Sequence, residues 1–109
     1  MKTSDQIQHR PYGPGVSLVS CPRCKSEYLH QLAVTVFDRG EDQATCVKTT
    51  IAGGKVSVDP AGSNEGNPSR RRDGLTIQFE CEECGKEPIF LTIAQHKGCT
   101  EIGWRYENF

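Results

Sequence analysis

The sequence predicts an all-β protein, mainly antiparallel, with little or no helix. Three observations carry that expectation. β-Branched and aromatic residues recur in short alternating runs, at 32–37, 75–80, 89–93 and 102–106. No segment sustains a 3.6-residue apolar period. Glycine and proline clusters at 11–15, 53–54 and 60–68 separate the runs as turns.

Taken in order, residues 1–15 read as a polar tail. Within it, Pro11-Tyr12-Gly13-Pro14-Gly15 forms a turn cluster. Residues 16–20 are a short β-prone run. Residues 28–37 read as a strand, with Leu32, Val34 and Val36 on one face and Ala33, Thr35 and Phe37 on the other. Residues 46–51 and 55–58 flank Gly53-Gly54, a pairing that suits a hairpin turn. Residues 59–73 are rich in Gly, Pro, Asn and Ser and end in Arg70-Arg71-Arg72, so they read as a flexible loop. The clearest alternation follows, Leu75, Ile77 and Phe79 against Thr76, Gln78 and Glu80. After Pro88 a return strand carries Ile89, Leu91 and Ile93. Residues 94–98 read as a turn, and Ile102, Trp104 and Tyr106 mark a last strand ending near Phe109.

At 109 residues the chain is expected to form one domain, 1–109. Its apolar fraction of 35% implies a thin core, and a thin core of this size calls for a staple. The cysteines supply one. Cys21-Pro22-Arg23-Cys24 and Cys81-Glu82-Glu83-Cys84 are two Cys-x-x-Cys pairs, the second followed by Gly85. Two intervening residues let both sulfurs of a tight turn face one point, and two such pairs complete a tetrahedral site. Pro22 stiffens the first turn, and Gly85 permits the backbone angles of the second. Thiolates are soft ligands that Zn2+ accepts four at a time, although an iron centre takes the same spacing. Disulfides are the competing use of six cysteines. The pairwise spacing, and an N-terminal stretch without an apolar signal segment, favour the metal and a reducing cytoplasm. No run is apolar enough to span a bilayer.

The order CPRC, a long insertion, then CEECG resembles the zinc-ribbon class. Cys21, Pro22, Cys24, Cys81, Cys84 and Gly85 carry the likeness. The chain is also similar to small zinc-ribbon proteins of bacterial and phage genomes. The resemblance implies one structural Zn2+ on Cys21, Cys24, Cys81 and Cys84, and strands flanking both knuckles. It is specific for the metal and nearly silent on function, since such domains serve many roles. The 56 residues between Cys24 and Cys81 exceed a minimal ribbon loop and mark an inserted hairpin and loop, where specific contacts are expected.

Function follows mainly by exclusion. A net charge of −1 argues against a broad nucleic-acid surface. No glycine-rich phosphate cradle, nucleophile signature or carboxylate pair in a cleft is legible, so neither an enzyme nor a small-molecule substrate is expected. Four protein ligands would close the metal to water, which makes it structural. The expectation is a metal-stabilised module that docks on or regulates a protein partner, with residues 46–73 and the acidic second knuckle as contacts. The alternative is nucleic-acid binding through Arg70, Arg71 and Arg72, aided by Lys48, Lys55, Arg23 and Lys25 if the fold gathers them, with exposed Tyr28, Phe37 or Trp104 stacking bases. Cys46 and Cys99 read as small buried hydrophobes. A second site from His96, Cys99, Cys46 and His30 is the rarer possibility.

Overall fold

The computed structural model describes residues 3–4, 7–85 and 87–106. The described residues form nine strands and no helix: β1 (Thr3–Ser4), β2 (His9–Pro11), β3 (Ser17–Val19), β4 (Leu29–Asp38), β5 (Thr45–Ala52), β6 (Lys55–Ser63), β7 (Gly74–Cys81), β8 (Ile89–His96) and β9 (Cys99–Arg105). Seven make one sheet in the order β1-β9-β8-β7-β4-β5-β6, and β2 and β3 form a separate ribbon. Every pairing is antiparallel. The all-β expectation holds, and so does the inserted hairpin, β5–β6, which turns at Gly53 and Gly54, both at positive φ.

Alternation sorts the side chains onto two faces. On the first, register aligns one row of Ile102, Ile93, Leu75, Val36, Thr49 and Val58. The next row is Trp104, Leu91, Ile77, Val34, Ile51 and Val56. The opposite face carries Phe37, Thr76, Phe90 and Ala94, all buried. A bulge between Gln31 and Ala33 takes Leu32 out of the expected alternation.

The main core lies at one end of the first face. Trp104 and Ile89 are each 1% exposed and pack with Cys21 and Cys81. Val19 and Ile7 join them from the N-terminal side. Phe79 meets Trp104 edge-on, at 6.0 Å between ring centroids. The sulfurs are therefore built into the hydrophobic core.

Four expectations are corrected here. The tail at 1–15 is not loose throughout: β1 pairs with β9, and β2 pairs with β3 through a turn closed by the Tyr12 N–H to the Val16 carbonyl. Its residues 1, 2, 5 and 6 lie outside the described residues. The segment read as a loop at 59–73 begins inside a strand, because β6 continues to Ser63. Its remainder is tied down by polar side chains that also suit a packed loop. Asn64 donates to the Gln43 and Ala44 carbonyls, Asn67 to the Arg72 carbonyl, and the Ser69 hydroxyl to the Gln95 carbonyl. Residues 94–96 extend β8, so only Lys97 and Gly98 turn, both with positive φ. The last strand ends at Arg105, and residues 107–109 lie outside the described residues.

Candidate metal centre

The two knuckles are near copies built on one hydrogen-bond plan. In the first, the Lys25 N–H donates to the Cys21 carbonyl at 2.9 Å. In the second, the Gly85 N–H donates to the Cys81 carbonyl at 3.3 Å. The residue after the second cysteine of each turn is left-handed, Lys25 at φ 69° and Gly85 at φ 56°. The sulfur of each leading cysteine also accepts backbone N–H groups, from Cys24 and Arg23 in one turn and from Cys84 and Glu83 in the other. The β4–β7 pairing sets the turns side by side: Leu29 faces Cys81, and the Glu82 N–H donates to the Tyr28 carbonyl.

As a result, the ligating atoms of Cys21, Cys24, Cys81 and Cys84 all lie within 4.8 Å of one another. Cys24 and Cys81 sulfurs are 3.5 Å apart. A tetrahedral ion with metal–sulfur bonds of about 2.3 Å needs sulfurs about 3.8 Å apart, so this cluster can hold one. All six cysteines are free thiols, with no disulfide. Cys21 and Cys81 are buried, Cys84 is half-buried and Cys24 is exposed.

The electrostatics favour a cation. Cys81 is lowered to about 7: burial opposes its thiolate, but the Cys84 and Glu83 N–H groups and the neighbouring Cys24 thiol outweigh it. Cys24 is pushed up to about 12. The Ser26 N–H favours its thiolate, but desolvation and the nearby Cys81 and Cys21 sulfurs prevail. Burial raises Cys21. The cluster thus accepts one negative charge readily and resists the next, the behaviour of tightly coupled acids. A divalent ion removes that resistance, because each thiolate then neighbours positive charge.

Side chains around the site lock the knuckles together. The Arg23 guanidinium crosses to donate to the Glu87 carbonyl and sits 5.0 Å from the centre of the Tyr106 ring. Arg10 makes two 2.8 Å hydrogen bonds to the Glu27 carboxylate, tying β2 to the stretch between the first knuckle and β4. That contact borders an open cleft of about 1000 Å3, which Cys24 and Cys84 also line. Glu82 and Glu83 face solvent, and Glu82 meets His30 at 2.9 Å. The structural roles of Arg23, Lys25 and Arg10 went unread in the sequence. Aligning the two knuckles would have flagged one of them, since Lys25 stands where the second has Gly85.

The arginine run lies elsewhere. Arg71 pairs with Asp42 at 2.7 Å and with Glu41 at 3.4 Å, and Arg72 pairs with Glu41 at 3.0 Å. These contacts sit beside Gly74, the end of β7 opposite Cys81, so Arg23 and Lys25 are roughly 20 Å away along the strand. Lys48 lies over the Phe37 ring at 5.3 Å. The fold does not gather the seven cations into one patch. Of the three aromatics considered for stacking, Phe37 and Trp104 are buried and Tyr28 is exposed.

Nor do the remaining ligands meet. Cys46 is buried beside the Gly62 carbonyl, as expected of a small hydrophobe. Cys99 departs from that expectation. It is exposed, because the tight two-residue turn places it opposite His96 at the sheet's margin. Among the described residues, the four knuckle cysteines are the one cluster of three or more side chains able to hold a metal.

A scan of protein-family models, a search of curated proteins and a search of solved structures each found no match to the chain. No helix among the described residues is long and apolar enough to cross a membrane.

Proposed function

We propose that the chain is a non-enzymatic zinc-binding module of the zinc-ribbon kind. One structural Zn2+ on Cys21, Cys24, Cys81 and Cys84 would stabilise a surface for docking on, or regulating, a protein partner in the reducing cytoplasm. The observation that carries the reading is the convergence of four thiols from two like knuckles on one point. Thiolate ligands favour zinc over harder cations, and four protein ligands leave no position for a reacting water. The solvent-facing carboxylates of Glu82 and Glu83, beside the metal, offer a basic partner a rigidly held acidic contact.

Metal analysis of protein purified under reducing conditions tests the zinc reading, with one zinc per chain expected. Cys81→Ser should abolish the stoichiometric metal. Iron in its place, or a metal-free chain that is fully folded, overturns the zinc site. Reversing Glu82 and Glu83 to lysine tests the contact, and a partner complex of unchanged affinity would dismiss it.

A further inference from the structure

We propose that the exposed part of the sheet's first face is an interface covered by a second copy of this chain, the two sheets packing face to face. The observation is the pair of aligned rows described above. Of their twelve side chains, eleven are aliphatic or aromatic and the twelfth is Thr49. At the β9 end the core packs on Trp104 and Leu91 of the second row, while Ile102 of the first row stays 51% exposed. Toward β5 and β6 nothing among the described residues covers either row: Ile51 is 49% exposed, Val56 65% and Val58 58%.

Charge sorts the same way. Residues Lys48, Lys55 and Asp59 of β5 and β6 all alternate onto the opposite face. In a chain with 27 charged residues among 109, the two rows contain none. This is the pattern of an inner sandwich face that lacks its second sheet.

Area and chemistry identify the occupant. The exposed and half-exposed side chains of this face offer on the order of 700 Å2 per copy, above the usual patch on a monomer and close to the roughly 800 Å2 per partner of a stable interface. A surface without charge offers an unlike partner no charge complementarity to steer it. It does match itself, because two twisted sheets of β-branched residues stack about a two-fold axis with side chains interdigitating. The inference does not rest on the metal reading.

Sedimentation equilibrium of the full chain, loaded to about 1 to 100 μM, tests it. The expected mass is twice the 12.1 kDa monomer, holding at high salt because no ion pair is involved. V56K/V58K should be monomeric, with the far-UV circular dichroism and metal content of the wild type. The gentler V56T/V58T keeps the β preference and should weaken the dimer about tenfold or more. A wild-type monomer throughout the range overturns the proposal, as does a dimer that both variants leave unchanged. A monomer that binds an apolar dye on this face also overturns it and assigns the face to another partner. Metal content measured on the same samples keeps any failure of the zinc site separate from a failure of the dimer.

Discussion

At the residue scale, the two knuckles differ in how they meet one backbone demand. Both require a left-handed residue after the second cysteine, a conformation that glycine adopts freely and a side-chain residue adopts at a cost of about 1 kcal/mol. A Cβ added at Gly85 would touch nothing within 4 Å, so Gly85→Ala carries only that conformational cost. The expected loss is about 1 kcal/mol, read from denaturant midpoints of the metal-loaded protein. Lys25→Gly should do the opposite or change nothing, since relief of strain offsets the added freedom of the unfolded chain. A large destabilisation by Lys25→Gly would mean that the side chain itself supports the site.

At the scale of elements, the segment 64–73 seals the second face of the sheet. Gly74 is where it comes closest: a Cβ there would collide with the Asn67 Oδ1 and the Pro68 ring. Gly74→Ala should therefore cost about 1–3 kcal/mol by thermal or denaturant unfolding. Because the clash lies at the far end of β7 from Cys81, metal stoichiometry should stay the same. The segment is also clamped through Arg71, whose hydrogen bond to Asp42 holds that carboxyl below its usual range. A carboxyl with a lowered folded pKa stabilises the protein above its unfolded pKa. That contribution disappears as pH falls through the folded value. The pair is exposed, so the effect is small and weakened by salt. Melting temperatures of wild type and Asp42→Asn should thus differ at neutral pH and converge in acid. A gap that persists below the carboxylate range would assign the stabilisation to packing instead.

At the scale of the molecule, the four-cysteine cluster and the hydrophobic core share one end of the sheet. Cys21 and Cys81 belong to the same buried cluster as Trp104 and Ile89. Without a bound ion, the thiols of Cys21 and Cys81 would stand in that cluster with no charge to offset, and site formation and folding would share one free energy. A chelator should accordingly abolish the native circular dichroism and expose Trp104, seen as a red shift of its fluorescence. Unchanged spectra after verified metal loss would contradict this coupling. The opposite end, β5–β6, has little core of its own. Ile51, Val56 and Val58 are exposed in the single chain, so the proposed pairing of two copies would add to the local stability of this end.

The sequence by itself determined what local chemistry sets: the two Cys-x-x-Cys turns, the period-2 runs of 75–80 and 89–93, and the Gly53-Gly54 hairpin. Each depends on spacing within a few residues, so each was legible. Only the tertiary structure decided the rest. The ordering of 64–73 follows from hydrogen bonds to Gln43, Ala44 and Gln95, and the engagement of Arg71 and Arg72 from acids some 30 positions earlier. Composition reports the turn-forming and charged residues there without naming their partners. The strand order is the deeper case. Alternation says that Val56 and Val58 share a face, but only pairing across β5 and β4 reveals two continuous apolar rows. A row depends on register between distant segments, and register is settled by the folded sheet as a whole.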